Sequence, residues 1–137
     1  MAESVRQVEY FYIEVPNKVG EGAKVLRALK EAGVNLLAFS GFPSGRRAQL
    51  DFVPSDPAAF KVAAKSARWK VVGPKKVFVI EGEDRVGALV YYGTRLADAK
   101  INVTAITAVV AGPGRFGGIL WVKPRDVKRA AKTLGAG

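Results

Sequence analysis

Two short segments of the sequence combine residue types that bind a small zwitterion. Residues 17–20 read Asn-Lys-Val-Gly and residues 84–87 read Asp-Arg-Val-Gly. Each glycine precedes a pattern typical of a helix, and the unpaired amides at the start of a helix bind anions such as a carboxylate. The Asn or Asp side chain offers an oxygen to an ammonium group. The backbone positions predicted to hold the carboxylate are Val19 and Gly20 in the first segment and Val86 and Gly87 in the second.

Both segments belong to an internal repeat that organises the whole chain. Nine residues between Phe11 and Ala38 recur without a gap 67 positions later. Such a repeat predicts two structural units, which we place at residues 1–72 and 73–137. Units of this size bury only about 60% of their unfolded surface. We therefore expect them to pack on each other or on a second chain.

The periodicity of apolar residues predicts the same element order in both units. A strand rich in aromatic and β-branched residues precedes each turn, an amphipathic helix follows it, and turn residues separate the later segments. In the first unit Gly33 ends the helix, and Ser55 or Asp56 caps the next one. The strands of the first unit are predicted at residues 8–15, 35–40, 48–53 and 69–72.

The second unit repeats this order from a strand at residues 77–80, with two departures. Lys100 stands where the first copy has Gly33, which costs about 1 kcal/mol if the residue is left-handed. No clear strand follows Leu134, so the end is frayed or a partner completes the sheet. The predicted fold class is α+β, with two ferredoxin-like βαββαβ units whose antiparallel sheets carry both helices on one face.

The turns and two asparagines resemble those of ACT domains, which are small ligand-sensing modules of amino-acid metabolism. In each copy an Asn/Asp-x-x-Gly turn is followed fifteen residues after the glycine by an asparagine, Asn35 or Asn102. The resemblance covers nearly the whole chain as two tandem modules, although the family often has proline where Val19 and Val86 stand. It implies an effector site between modules packed side by side. The residues carried over are Asn17, Gly20, Asn35, Asp84, Gly87 and Asn102.

This resemblance implies a non-catalytic regulatory protein that binds an amino acid, forms a homodimer or higher homo-oligomer, and acts on a regulated protein partner. From the strand order we also expect Asn35 and Asn102 to reach toward the turn. The alternative interpretation of the same residues is structural. Asn17 and Asp84 are of the types that cap helices, and an asparagine entering a strand can bond to its own backbone.

The composition excludes several kinds of chemistry. The 137 residues include neither cysteine nor histidine, which removes disulfides, thiol nucleophiles and imidazole bases. No carboxylates pair at a common reacting atom, and Glu14 and Glu81 are expected to form surface ion pairs. We predict no enzyme activity, no cofactor and no metal. Without an apolar run of 18 residues, a cytoplasmic protein with no membrane association is the expectation.

The alternative function is RNA or nucleic-acid binding, since the net charge is +10. RNA recognition modules share the strand order and stack bases on exposed aromatic side chains, for which Phe78 and Phe116 are the candidates. Basic stripes on two helices are more often solvated faces. The glycine-rich segment at residues 112–118 precedes an apolar strand instead of a helix, so it predicts a hairpin tip instead of a dinucleotide site. The basic stripes comprise Lys61, Lys65 and Arg68, and Arg125, Lys128, Arg129 and Lys132.

Overall fold

The computed structural model describes residues 3–136 of the chain. It combines antiparallel strand pairs with helices, so the predicted α+β class is confirmed. The elements are, in order, β1 (Ser4–Pro16), α1 (Glu21–Glu31), β2 (Leu36–Ser44), β3 (Arg47–Pro54), α2 (Pro57–Ser66), β4 (Val72–Glu83), α3 (Val90–Asp98), β5 (Val103–Val110), β6 (Arg115–Val122), a short 3-10 helix (Pro124–Asp126) and α4 (Val127–Leu134).

The chain divides into two compact units at positions inside β1 and β4. One unit comprises residues 9–75, and the other comprises residues 3–8 with residues 76–136 of the described chain. We call them the 9–75 unit and the 76–136 unit. These boundaries differ from those expected at residue 72, because β4 is one strand where the sequence predicted two.

Helix α1 and helix α2 cover one face of the sheet in the 9–75 unit, whose strand order is β2-β3-β1-β4. The centre of its core is aromatic. The Phe60 ring from α2 stacks on Phe11 with 4.8 Å between ring centroids and lies 5.2 Å from Phe52. Helix α2 begins as predicted, because the Asp56 carboxylate accepts hydrogen bonds from the amides of Ala58 and Ala59.

The core of the 76–136 unit forms from the inward faces of α3 and α4 against β4 and β6. Tyr92 and Leu96 are each 1% exposed on α3, as the helical periodicity predicts. Leu89, three positions before Tyr92 and so at the spacing of the same helical face, remains more than one-third exposed. The reason is that α3 begins only at Val90, so Leu89 lies in the preceding turn.

Residues 3–8 supply the strand that the 76–136 unit appeared to lack. Strand β1 neighbours β4 in the sheet, and Val5 packs against the core of this unit. The Glu3 carboxylate accepts a hydrogen bond of 2.8 Å from the Tyr92 hydroxyl. The chain's own first strand therefore completes this edge of the sheet, an outcome that neither sequence-based alternative included.

We expect Glu3→Ala to destabilise the 76–136 unit by about 1–3 kcal/mol. Burial and the hydrogen bond to Glu3 both raise the pKa of Tyr92, so its hydroxyl is protonated at neutral pH. In Glu3→Ala this hydroxyl loses its hydrogen-bond acceptor. Urea unfolding gives the measurement. In a Tyr92→Phe background, where no hydroxyl remains, Glu3→Ala should have little effect. An equal loss in both backgrounds would contradict a role for this hydrogen bond.

Candidate functional site

The first repeated turn joins β1 to α1 and is open to solvent. The amide of Asn17 donates to the carbonyl of Arg46 at 3.4 Å, which ties the start of the turn to the β2–β3 hairpin. Gly20 has a φ of +88°, a conformation that favours glycine, and it directly precedes the helix. The Val19 side chain is fully exposed. The tip of the turn thus leaves the start of α1 accessible to a ligand.

The second turn has the same features, with a later helix start. The amide of Asp84 donates to the carbonyl of Gly114 at 2.9 Å, in the hairpin that corresponds to the one beside Asn17. Gly87 has a φ of +74°, and Val86 is fully exposed. Unlike Gly20, Gly87 is followed by two further turn residues before α3 begins at Val90. The two turns are therefore similar in their glycines but different in the position of their first helical amides.

Neither Asn17 nor Asp84 acts as a helix cap. No side-chain hydrogen bond caps the first residues of α1 or α3, whereas Asp56 caps α2 with two. The side chains of Asn17 and Asp84 are exposed. The structural interpretation of these two residues as caps is therefore wrong. No side chain of the described chain accepts a hydrogen bond from the amides at the start of α1 and α3, and the amides of Glu21 and Val90 each donate to a backbone carbonyl of the preceding turn.

The two asparagines directly precede β2 and β5, at the ends of helix-to-strand connections. The side-chain amide of Asn35 donates to the Ser55 hydroxyl at 2.9 Å, and the backbone carbonyl of Asn35 accepts from the backbone amide of Ser55 at the same distance. Asn35 thus connects the start of β2 to the end of β3. Asn102 is exposed beside β5 and lies two positions after Lys100, which has a φ of +60° and so adopts the left-handed conformation.

The turn and the asparagine of one unit lie at opposite ends of its sheet. Pro16 pairs with Arg47 at the start of β3, whereas Leu36 pairs with Pro54 at its end. The eight residues of β3 span about 23 Å at roughly 3.3 Å per residue. The expectation that Asn35 reaches the turn of its own unit is therefore wrong. One ligand cannot contact both.

The same separation holds in the 76–136 unit. Glu83, next to the turn, pairs with Arg115 at the start of β6, and Val103, next to Asn102, pairs with Val122 at its end. An antiparallel strand–helix–strand unit imposes this arrangement, because the helix carries the chain back along the sheet before the next strand begins. An asparagine that contacts a ligand at a turn must therefore come from outside the unit that contains that turn.

Each turn also contains a basic residue that was not predicted as part of the site from the sequence. Lys18 and Arg85 occupy equivalent positions, between the Asn or Asp and the valine. In the structure Arg85 lies 3.4 Å from the Glu3 carboxylate, so the first strand also contacts the second turn. A basic residue at the same position in both copies was the signal available in the sequence. It places a positive charge near each set of helix-start amides, where it favours an anion.

Glu14 and Glu81 form the surface ion pairs that the sequence predicted. The Arg47 side chain lies 3.8 Å from the Glu14 carboxylate, and it donates a hydrogen bond of 2.9 Å to the backbone carbonyl of Glu14. Arg115 lies 3.4 Å from the Glu81 carboxylate. Both glutamates are largely exposed, so each pair contributes little to stability, typically about 0–1 kcal/mol.

The aromatic residues that RNA binding requires are buried. Phe78 is 0% exposed and Phe116 is 6% exposed, and both belong to the core under α3 and α4. They cannot stack on bases, so the predicted RNA-binding platform is contradicted.

Two residues of the basic helix stripes make internal contacts. Arg129 donates to the carbonyl of Ala99, at the end of α3, and pairs with Asp126 at 2.9 Å. The Lys61 ammonium lies 5.9 Å from the centre of the Phe11 ring. These stripes are therefore partly structural. The glycine-rich segment forms the predicted hairpin tip between β5 and β6, with Gly112 and Gly114 at positive φ.

Comparison with known proteins identifies the fold. No protein-family model and no curated protein matches the sequence. A crystal structure from Bacteroides thetaiotaomicron is similar with a TM-score of 0.81 and 20% identity, over 96% of this chain and 88% of that one. The ligand-free regulatory subunit of aspartate kinase from Thermus thermophilus is similar with a TM-score of 0.65 and 15% identity, over 98% and 96%.

A third similar structure is described as a putative C-terminal regulatory domain of aspartate kinase from Porphyromonas gingivalis. It has a TM-score of 0.54 and 18% identity, over 98% of this chain and 95% of that one. These likenesses establish a shared fold. The chain shares the α+β fold of these structures, two of which are described as regulatory parts of aspartate kinase. Within residues 3–136, no helix has the length and apolar character needed to cross a membrane.

Proposed function

We propose that this chain is a non-catalytic regulatory protein of tandem ACT type, built from two ferredoxin-like βαββαβ units, which binds a small amino acid at its strand-to-helix turns. The observation that carries the proposal is the difference between the helices. Helix α2 is capped by its own Asp56, while α1 and α3 begin at exposed glycine turns without a side-chain cap. The fold shared with regulatory subunits of aspartate kinase supports a regulatory role.

The chemistry of the turns suits an amino acid. Its carboxylate accepts hydrogen bonds from backbone amides near Val19 and Gly20, or near Val86 and Gly87, with help from the helix dipole and from Lys18 or Arg85. Its ammonium group binds the side chain of Asn17 or Asp84. Because only Asp84 is charged, the second turn should bind the ammonium group more tightly.

Asn35 and Asn102 have a different place in this proposal. Each lies about 23 Å from the turn of its own unit, so we assign each to a turn supplied by a second copy of the chain. Ligand binding then favours one assembled state over another, and a regulated partner protein senses that change. Regulation by this route requires a homo-oligomer but no catalytic residue.

The first test measures the melting temperature with each of the twenty amino acids at about 10 mM. A ligand with a dissociation constant near 100 μM is then in about 100-fold excess and stabilises the fold by roughly 2.7 kcal/mol. We expect one or two amino acids to raise the melting temperature by about 5–10 °C. A panel in which none of the twenty does so would contradict the proposed ligand class.

The second test assigns the site with variants titrated by calorimetry. Asp84→Ala removes a charged acceptor and should weaken binding by about 10- to 100-fold. Asp98→Ala, which removes another exposed carboxylate from the same unit, is the matched control and should bind like the original chain. If Asp84→Ala and Asn17→Ala both bind as tightly as Asp98→Ala, the ligand does not bind at the turns.

A further inference from the structure

The start of α3 exposes a group of apolar side chains beside the second turn. The group lies within residues 86–91 and comprises Val86, Leu89, Val90 and Tyr91, which we call the α3 patch. Val86 is fully exposed and Val90 is 65% exposed. Single exposed apolar residues are common on protein surfaces, but a group of large ones in one place marks an interaction surface.

The exposed side of α3 continues the α3 patch without a charge. Beyond Val90 it carries only the small residues Gly93, Thr94 and Ala97. The one cation of this helix, Arg95, is directed toward α4, where it donates to the carbonyl of Thr133 at 3.0 Å. A Cβ at Gly93 would have no other atom within 4 Å, so the surface there is open. Another helix can therefore approach α3 closely along this side.

The first copy of the repeat shows that the fold does not require this surface. At the positions equivalent to Leu89, Val90, Tyr91, Thr94 and Ala97 it has Gly22, Ala23, Lys24, Arg27 and Lys30. Residues 16–30 carry a net charge of +3, from four basic and one acidic residue, whereas residues 83–97 carry 0, from two of each. The buried side of the helix is apolar in both copies. The copies therefore differ on the exposed side, where the second has less positive charge and more apolar surface.

Two carboxylates border the α3 patch on the side of the turn. Glu83 and Asp84 are exposed, and the equivalent positions in the first copy are uncharged. Within residues 3–136 neither carboxylate forms an ion pair. The nearby arginines have other partners, Arg85 with Glu3 and Arg115 with Glu81. The patch thus has a negatively charged border in a chain whose net charge is +10.

We propose that the α3 patch binds a basic amphipathic helix of a partner protein. The apolar side of that helix covers Val90 and the small residues beyond it, and its lysines or arginines pair with Glu83 and Asp84. The charges select this partner, because the two carboxylates repel nucleic-acid phosphates, anionic lipids and acidic proteins. The inference rests on the proposed function for the existence of a regulated partner, whereas the surface itself is defined without an amino-acid ligand.

Two synthetic helical peptides test the chemistry of the partner. One has leucine on one side and lysine on the other, and the second has glutamate in place of each lysine. By fluorescence anisotropy we expect the lysine peptide to bind at least about tenfold more tightly, although the net charge of +10 alone favours the glutamate peptide. Equal or tighter binding of the glutamate peptide, or no binding of the lysine peptide at about 1 mM, overturns the proposal.

Matched variants locate the binding surface for the lysine peptide. Val90→Ser should raise its dissociation constant by about tenfold and Glu83→Gln by about threefold, because one loses apolar surface and the other a charge at the border. The controls are Val62→Ser, at a 70% exposed position on α2, and Glu31→Gln, at the exposed end of α1. All four variants should melt like the original chain. If the first pair binds the peptide as tightly as the controls, the α3 patch is not the binding surface.

Amide NMR signals give a second test, in which the repeat supplies its own control. The lysine peptide should shift the signals of residues 83–97 and leave those of residues 16–30 unchanged. No amino acid is present, so a negative result here leaves the ligand site to be judged by the melting-temperature panel alone. If the signals of residues 83–97 shift with protein concentration in the absence of peptide, a second copy covers the α3 patch, and the assignment to a different partner is overturned.

Discussion

Phe52→Ala is expected to destabilise the 9–75 unit by about 3–5 kcal/mol. Phe52 is 0% exposed at the centre of the aromatic core, where its ring lies 5.2 Å from Phe60 and 6.3 Å from Trp69 between centroids. Truncation removes the apolar surface and leaves a cavity that three rigid elements, β3, α2 and the segment before β4, cannot readily fill. The loss is large compared with the usual stability of a small domain, about 5–15 kcal/mol.

Urea unfolding followed by tryptophan fluorescence measures this loss, because Trp69 packs against the missing ring. The control is Phe42→Ala, the same substitution on the neighbouring strand β2, where the side chain is 44% exposed. It should cost less than about 1 kcal/mol. Equal midpoints for the two variants would show that the aromatic cluster is not the main source of stability in this unit.

The features that the sequence predicted correctly include the two glycine turns, the end of α1 at Gly33 and the cap of α2, and they are determined by local chemistry, as is the backbone conformation at these positions. Gly20 and Gly87 have positive φ because each turn must reverse the chain before a helix. Asp56 caps α2 because a short acceptor side chain directly precedes a proline that can begin a helix. Lys100 has the backbone conformation of its counterpart Gly33, since both end a helix and return the chain to the sheet. Each of these outcomes depends on a few consecutive residues.

The place of residues 3–8 in the 76–136 unit could not be predicted in this way. The segment Ser4-Val5-Arg6-Gln7 has only one apolar residue, and the strand signal in the sequence begins at Val8. Its place in the 76–136 unit depends on contacts with residues far along the chain. The hydrogen bond between Glu3 and Tyr92, for example, spans 89 positions. A repeat offset detects similarity between the two units but does not reveal which strand completes each sheet.

The separation of the turns from the asparagines could have been predicted from the topology. Helix α1 has 11 residues and spans about 16 Å, so the chain that leaves the turn at Gly20 reaches Asn35 near the far end of the sheet. Residues that resemble a family's ligand contacts can therefore be correct in type while no single unit brings them together. This is why Asp84 and Asn102 require separate variants.

Gly73→Ala is the second substitution with a large expected effect, about 3 kcal/mol or more against the 9–75 unit. Gly73 has a φ of +131°, and a Cβ there would lie 2.9 Å from the carbonyl oxygen of Tyr10 and 3.2 Å from the Cα of Phe11. The backbone conformation alone costs about 1–3 kcal/mol for other residues. Because both contacts are backbone atoms, relief requires β1 to move, and Phe11 would then move out of its stack with Phe60.

The same urea titration distinguishes this clash from a general effect of replacing glycine. Gly22→Ala, in α1 of the same unit, adds a methyl group where no other atom lies within 4 Å, and it should be neutral or stabilise by up to about 1 kcal/mol. Hydrogen exchange should locate the loss in Gly73→Ala to β1 and the start of β4. If Gly73→Ala unfolds at the same urea concentration as Gly22→Ala, then β1 and β4 are not held at this close approach. The stability of the 9–75 unit would then not depend on the contact between these two strands.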